Sequence, residues 1–478
     1  MKLGQTSLIY FLSKFGSSIL GFVATIYIAR IIGADGYGIY SLALAVLAWM
    51  AIAGKIGLSS AIIKRVSETD DPGAYVTSGA LMIAVVFLVT SAVALVLRGP
   101  IENYVGEPLV AFILVLLLAK LCWSLVTAVL QGEQKVHVYA ALAPVQTGIR
   151  SALQIAAVAL GFGVAGLLGA YAVGAVVVAL VGATYASVSL ARPTLDHVRS
   201  LYDYAKFAWL GNLKKQSFSW VDVTVLGFFV IEDLVGVYAI AWSIAAVLTI
   251  FSKGISTTLF PEMSNISANQ DPESVANLVT DAVRYNGLVL IPGLVGALVV
   301  GERVLLLYGE EFVIGTAVLA LLVAARMLYA YQNQLVNTIN GIDRPDIAFR
   351  INAVFIGVNT VLNIVLIWQY GWIGAAVATL CAAAVSLVHA RVAIRNFLTF
   401  RMPLRDIGKQ CVAAVLMGGV VLALTTVVPP ARDALTSHLV TVALVTFGAG
   451  VYFLTYLAIS TTFRDTVRRN LPVDVPGL

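Results

Sequence analysis

The stretch Gly38-Ile39-Tyr40 returns about 198 residues later as Gly236-Val237-Tyr238, and a long apolar segment follows each copy. Each apolar segment contains one lysine at the same distance from the motif, Lys55 in the first and Lys253 in the second. Parallel copies of one pattern are typical of transporters that bind their substrate between two repeated halves. The repeat therefore predicts two related lobes, and the two lysines predict a substrate with negative charge.

Two uncharged hairpins support this division of the chain. The stretch Gly163-Val164-Ala165-Gly166 returns as Gly371-Trp372-Ile373-Gly374. These Gly turns lie within residues 151–191 and 351–390, two ranges that contain no charged residue. We therefore expect a two-helix membrane hairpin at corresponding places in the two halves.

The composition is that of a polytopic membrane protein, because 60% of the residues are hydrophobic and only 12% are charged. That balance excludes an ordinary soluble domain. The cysteines lie in apolar segments and the histidines are scattered, so we expect no disulfide framework, no metal site and no cofactor. These residues are Cys122, Cys381, Cys411, His137, His197, His389 and His438.

The pattern of apolar segments predicts an all-α fold, a polytopic membrane helix bundle of about fourteen transmembrane helices. We expect two pseudo-symmetric six-helix lobes at residues 1–200 and 201–402, and two additional transmembrane helices with a cytoplasmic tail at residues 403–478. The predicted spans are 8–29, 39–63, 76–97, 109–130, 139–160, 164–190, 206–230, 234–259, 279–301, 313–339, 347–368, 372–390, 407–428 and 438–460.

The loops that connect these spans differ strongly in positive charge. With the N-terminus inside, the cytoplasmic loops and tails hold 18 lysines and arginines, and the outer loops hold 4. This asymmetry predicts a multi-pass protein of the cell (cytoplasmic) membrane with both termini in the cytoplasm. The loops are too short for a folded catalytic domain. We therefore expect that the protein is not an enzyme, which disfavours a glycan polymerase or an oligosaccharide transferase.

Eight basic residues lie six residues or more from either end of a predicted span, and Asp222 is the single acid at that depth. A charge at the centre of a membrane costs on the order of 3 kcal/mol on insertion scales, so such side chains usually face a cavity or a partner. One carboxylate cannot neutralise eight cations, and the surplus needs water or an anionic ligand. The candidate residues for binding an anionic head group are Lys14, Lys55, Lys120, Arg150, Lys214, Lys215, Lys253 and Arg326.

Some of these cations have a second interpretation. Lys14, Lys214 and Lys215 lie near the cytoplasmic ends of their spans, where a long side chain could reach the membrane surface. Lys55 and Lys253 lie deeper, and their recurrence in both halves favours a role in function.

The remaining charges lie near the middle of their spans. Arg150 has no basic counterpart in the second half, which favours a place in a cavity. Lys120 and Arg326 occupy the corresponding fourth spans, where lipid phosphate or backbone carbonyls are alternative partners. Asp222 is either a structural counter-ion of a neighbouring lysine or a protonation or cation site that couples transport to a gradient.

Amide side chains cluster in spans 10 and 11. Asn333 and Asn337 share one helix face, and Asn359 lies in the next span. These three amides are possible contacts for sugar hydroxyls. The alternative is ordinary hydrogen bonding between neighbouring helices.

A longer stretch around the first motif reads Ala29-Arg30-Ile31-Ile32-Gly33-Ala34-Asp35-Gly36-Tyr37-Gly38-Ile39-Tyr40-Ser41-Leu42-Ala43. Lys55-Ile56-Gly57-Leu58 and Lys64-Arg65 follow it. This sequence resembles the opening of the Wzx/RfbX-type polysaccharide flippases, which belong to the MOP (multidrug, oligosaccharidyl-lipid, polysaccharide) exporter superfamily. The resemblance implies a MATE/MurJ-like fold, a V-shaped pair of six-helix lobes that works by alternating access.

The resemblance also implies a substrate, a glycan carried on a polyprenyl phosphate or pyrophosphate. In the related lipid II flippases, cavity arginines on spans 1, 2 and 8 are functional, and here Lys14, Lys55 and Lys253 lie on those spans. The leading hypothesis is a flippase that moves a lipid-linked oligosaccharide from the cytoplasmic to the outer leaflet.

The expected partners are this substrate, membrane lipids and glycan polymerase or transferase machinery, with no nucleic acid. The alternative function is a cation-coupled multidrug or metabolite antiporter of the same superfamily. Such an antiporter would need acidic cavity residues, which the excess of basic over acidic residues within the spans disfavours.

Overall fold

The structure is a computed structural model that describes the backbone of residues 3–55, 57–69, 72–268, 272–427 and 434–470. Side chains are described for most of these residues, except in parts of residues 3–19, 52–55, 207–218, 257–272 and at both edges of 434–470. Within the described residues the chain is almost entirely helical and contains no strand, which confirms the predicted all-α class.

The described helices, in chain order, are α1 (Leu3–Lys55), α2 (Leu58–Glu68), α3 (Gly73–Val96), α4 (Arg98–Val105), α5 (Val110–Gly132), α6 (Val136–Ala159), α7 (Gly163–Ala183), α8 (Leu195–Phe229), α9 (Glu232–Val247), α10 (Ile250–Ala268), α11 (Pro272–Leu306), α12 (Thr316–Gly341), α13 (Pro345–Tyr370), α14 (Trp372–Ile394), α15 (Leu404–Val427), α16 (Ala434–Ile459) and α17 (Thr461–Asn470). A short 3₁₀ helix, Glu310–Gly315, precedes α12.

Glycines break the helices of the first two predicted spans. Gly33 interrupts α1 with a φ of 75° and a ψ of 178°, so α1 is two helices that meet at a kink. Gly57 separates α1 from α2 and has a φ of 74°, in the left-handed region that glycine adopts without steric cost. The second predicted span is therefore a broken helix.

The membrane character of the chain is confirmed by its helices. Among the described residues, ten helices are long and apolar enough to cross a membrane. The number is eleven if α9 and the first part of α10, which are bent by 46° at their junction, count as one span. The predicted spans 5 and 7 fall on α6 and α8, two long helices outside that set.

The chain packs into two compact units, Met1–Ala239 and Ile240–Leu478. In the first unit, buried aliphatic side chains of α5 and α7 such as Leu117, Leu167 and Leu168 form part of the core. In the second unit, α11 and α12 contribute to a core that includes Val283 and Val336. The predicted lobe boundaries at residues 200 and 402 concern the sequence repeat and stay a prediction.

The two copies of the opening motif touch each other within the first unit. A Cβ added at Gly38 would overlap the carbonyl oxygen of Glu232, and a Cβ added at Gly236 would overlap the carbonyl oxygen of Ala34. Gly38 thus faces the carbonyl four residues before Gly236, and Gly236 faces the carbonyl four residues before Gly38. This reciprocal contact brings the start of α9 against α1 at a distance that only glycine permits.

A turn of the backbone also recurs between the fourth and fifth predicted spans of each half. Gln134 has a φ of 59° and Asp343 a φ of 60°, the two non-glycine residues with positive φ in the described chain. The amide of the next residue, Lys135 or Arg344, then donates to the carbonyl five positions earlier, at 2.8 Å and 3.0 Å. The repeated sequence therefore gives a repeated local structure.

Candidate functional site

Two of the predicted cations meet at one aromatic ring in the first unit. The Lys120 ammonium lies 5.3 Å from the centroid of the Tyr171 ring, and the Arg150 guanidinium carbon lies 4.8 Å from it. Lys120 lies ten residues after the start of α5, Tyr171 eight after the start of α7, and Arg150 nine before the end of α6, which runs antiparallel to both. At 1.5 Å per residue they share a level about 12–15 Å along the helices.

The approach of α6 to α7 depends on a glycine. A Cβ added at Gly174 would lie 3.2 Å from the Cα of Arg150, so α6 and α7 pack backbone to backbone at this point. Gly174 lies three residues after Tyr171, on the same side of α7. The close approach places the guanidinium of Arg150 over the Tyr171 ring.

Polar groups of α1 and α6 line the same region. The Gln154 amide donates to the Tyr40 hydroxyl at 2.9 Å and to the Leu167 carbonyl at 3.2 Å. Tyr40 is buried, and its ring contacts Tyr37 edge to face with centroids 6.0 Å apart. We call Lys120, Arg150, Tyr171, Tyr40 and Gln154 the basic–aromatic cluster.

The basic–aromatic cluster carries positive charge without a carboxylate. The sequences of α5, α6 and α7 contain no Asp or Glu. The ion pairs seen in the described part of the chain include neither Lys120 nor Arg150. A half-buried pair of cations of this kind attracts anions strongly, because water screens their charge poorly. The cluster can therefore bind a phosphate group or another compact anion.

In the second unit, the basic residue of the fourth span also lies against an aromatic ring. The Arg326 guanidinium carbon is 3.8 Å from the centroid of the Trp242 ring, and Arg326 is only 7% exposed. One turn along α12, Tyr329 packs on Phe355 with ring centroids 5.4 Å apart. Stacking of this kind is typical of buried arginine.

The predicted sugar-contacting amides have different environments. Asn359 is buried and donates to the Thr379 hydroxyl at 3.2 Å, a bond between α13 and α14. Asn333 and Asn337 are half-buried on α12. The hydrogen bond of Asn359 matches the helix-packing interpretation, and sugar binding by Asn333 and Asn337 stays a prediction.

The in-span acid Asp222 lies in α8 and is only 4% exposed. Its carboxylate accepts a hydrogen bond from the Tyr238 hydroxyl at 2.6 Å. Tyr238 is the last residue of the second motif copy and is fully buried. This bond ties α8 to α9, and the choice between counter-ion and coupling site stays open.

The structure describes the side chain of only one of the five remaining predicted cations. Lys14, Lys55, Lys214 and Lys215 have side chains outside the described part of the structure, so their predicted role stays a prediction. Lys253 is exposed and lies just after the bend between α9 and α10.

Sequence reasoning missed the aromatic partners Tyr171 and Trp242. A signal for Tyr171 does exist, because every other residue of α7 is Gly, Ala, Val or Leu. A single phenol in such a helix needs a polar or charged neighbour. Trp242 carries no comparable signal, since α9 contains several other polar and aromatic residues.

Comparison with known proteins gives the family and the fold. Residues 3–267 match the model of the family described as polysaccharide biosynthesis protein. "Probable flippase AglR" of Haloferax volcanii is 30% identical over 475 residues, which cover 98% of both chains. "Probable low-salt glycan biosynthesis flippase Agl15" of the same organism is 26% identical over 479 residues, the whole of both chains.

Solved structures show the same fold at low sequence identity. The lipid II flippase MurJ in an inward closed conformation matches with a TM-score of 0.81 and 16% identity, over 96% of this chain and 100% of that one. An inward-facing MATE family transporter of the MOP superfamily matches with a TM-score of 0.62 and 17% identity, over 79% and 95%. Together with the family match, these likenesses show that the chain belongs to the polysaccharide biosynthesis protein family and has the fold of the MOP superfamily.

Proposed function

We propose that this protein is a flippase that moves a polyprenyl-(pyro)phosphate-linked oligosaccharide from the cytoplasmic to the outer leaflet of the cell membrane. The observation that carries the proposal is the basic–aromatic cluster, in which Lys120 and Arg150 share one ring and the helices α5, α6 and α7 that hold them contain no Asp or Glu. Relatives that align over the whole chain bear the name flippase, and one bears the name glycan biosynthesis flippase.

Mechanically, the protein acts as a transporter and forms no covalent bond with its substrate. The cations of the cluster neutralise the phosphate while the head group crosses, and the polyprenyl tail stays in the bilayer. Six-helix lobes at residues 1–200 and 201–402 alternate in access, and residues 403–478 add two further helices. Both termini lie in the cytoplasm, and polymerase or transferase machinery then uses the glycan outside.

The test combines gene deletion with matched charge removal. Deletion should make the lipid-linked oligosaccharide accumulate and the surface glycan decline, as measured by mass spectrometry of lipid extracts and surface glycan. Wild-type protein should restore both, whereas the double variant Lys120→Ala with Arg150→Ala should restore neither at equal membrane levels. The control removes two exposed charges, Arg98→Ala with Lys206→Ala, whose side chains are 60% and 42% exposed.

Normal glycan export by the well-expressed Lys120/Arg150 double variant would contradict the proposal. Unchanged lipids on deletion, together with dye efflux that depends on a proton gradient, would favour the cation-coupled antiporter instead. That alternative has the likeness to MATE transporters in its support. It is the weaker candidate, because cation binding needs carboxylates and Asp222 is the single acid that lies six residues or more from either end of a predicted span.

A further inference from the structure

Cations inside a membrane protein usually need a partner, and a carboxylate is the common one. An ion pair would cancel the charge that an anionic substrate requires. At Lys120 and Arg150 the partner is the side chain of Tyr171. Both cation-to-centroid distances are below the 6 Å within which the ring quadrupole attracts a cation, and the Tyr171 hydroxyl also accepts hydrogen bonds from both cations. The ring stabilises the charges, and the formal charge of the pair stays at two.

A cation also lies against an aromatic ring in the second unit. Arg326 lies in the fourth span of the second half, as Lys120 does in the first, and its guanidinium carbon lies 3.8 Å from the centroid of the Trp242 ring. The two rings come from different helices, Tyr171 from α7 and Trp242 from α9. An aromatic contact to the cation of the fourth span is therefore common to both halves, although the sequence supplies it from different positions.

Tyr171 is also isolated in its own helix. The other twenty residues of α7 are Gly, Ala, Val or Leu, which pack but cannot hold a charge. Replacement of this one side chain would thus remove the aromatic contact of both cations at once, while the remainder of α7 stays unchanged.

We propose that Tyr171 is a positioning residue for the anionic head group, because it holds Lys120 and Arg150 at one site with their positive charges intact. The inference rests on the proposed function and adds to it. It assigns the selection of anions to a residue that carries no charge. It also predicts that a carboxylate at this position would preserve the fold and destroy binding.

The experiment uses the purified full chain and geranylgeranyl phosphate as the probe, with geranylgeraniol as the uncharged control ligand. Tyr171→Phe keeps the ring but loses the hydroxyl, so its affinity for the probe should lie between that of wild type and that of Tyr171→Leu. Tyr171→Leu should bind about tenfold more weakly, since two cation–ring contacts are lost. Tyr171→Glu should bind more weakly still and unfold at the same or a higher temperature, because the new carboxylate pairs with both cations.

The outcomes separate this inference from its premise. Wild-type protein that binds the phosphate no better than the alcohol would overturn the proposed function and this inference together. Wild-type selectivity for the phosphate, retained in Tyr171→Leu or Tyr171→Glu, would overturn the role of Tyr171 alone. A loss of phosphate binding that only follows a loss of thermal stability, and that Tyr171→Phe does not rescue, would also overturn it.

Discussion

Gln154 links three helices of the first unit through two hydrogen bonds, one to the Tyr40 hydroxyl of α1 and one to the Leu167 carbonyl of α7. Its side chain is buried, so loss of these bonds leaves polar groups without partners in an apolar environment. We expect Gln154→Leu to lower the free energy of unfolding by about 1–3 kcal/mol. Thermal unfolding of the purified protein in detergent measures the change.

A double-mutant cycle tests whether the bond between Gln154 and Tyr40 accounts for this cost. Tyr40→Phe removes the acceptor, so Gln154→Leu in that background leaves one buried group fewer without a partner. The double variant should therefore lose less stability than the sum of the two single variants. Strict additivity would show that the side chains act separately.

The sequence predicted the charges of the candidate site but not the groups that hold them. Lys120 and Arg150 stand out because a charge in an apolar span is rare. Their contact with Tyr171 joins residues far apart in the chain, and no periodic pattern in the sequence reports a cation–ring contact. The amide of Asn359 shows the same limit, because its hydrogen bond to Thr379 depends on how α13 packs on α14.

At the scale of helices, the crossing of α1 and α9 depends on Gly38 and Gly236. In an exposed or loosely packed helix, Gly→Ala stabilises by up to about 1 kcal/mol, because alanine has the higher helix propensity. At the crossing a methyl group would overlap a backbone carbonyl that cannot rotate away. We therefore expect Gly38→Ala and Gly236→Ala to lower the melting temperature.

Gly357 in α13 provides the matched control, because no atom lies within 4 Å of a Cβ added there. Gly357→Ala should leave the melting temperature unchanged or raise it. Equal effects at all three glycines would show that helix propensity, and not the close approach of α1 and α9, decides the outcome.

Helix positions were predictable from the sequence to a greater extent than helix breaks. Each predicted span falls on one described helix or on two consecutive ones, because an apolar segment in a membrane must satisfy its backbone hydrogen bonds internally. The loop predicted between residues 29 and 39 is instead a kink at Gly33, after which α1 continues at once. The break at Gly57 was not predicted, since a single glycine in an apolar span is compatible with an unbroken helix.

At the scale of the whole molecule, charges fall into two kinds of environment. Arg284 of α11 pairs with Asp281 on its own helix and with Asp406 of α15, whose carboxylate lies 2.8 Å from its Nε atom. Gln410 of α15 then donates to the Arg284 carbonyl at 2.9 Å and to the Tyr456 hydroxyl of α16 at 3.3 Å. This network fastens α15 and α16 to α11 within the second unit.

The two environments predict opposite responses to the same substitution. Arg284→Gln leaves Asp406, whose side chain is 13% exposed, without its cation, so we expect stability to fall by about 1–3 kcal/mol. Arg150→Gln removes a cation that no carboxylate of α5, α6 or α7 balances, so stability should stay the same or rise. The affinity for geranylgeranyl phosphate should respond in the opposite way. Arg284→Gln should bind it about as tightly as wild type, and Arg150→Gln at least tenfold more weakly.

Melting temperatures and binding curves of the two variants, measured on the same preparations, test these opposite effects on stability and binding. A stability loss in Arg150→Gln as large as that in Arg284→Gln would assign Arg150 to the fold. Weakened binding in Arg284→Gln would extend the anion site beyond the basic–aromatic cluster. Opposite responses are expected if ion-paired cations such as Arg284 join helices and cations without a carboxylate partner, such as Arg150, bind the substrate. A cation whose charge is neutralised by a carboxylate attracts a phosphate only weakly.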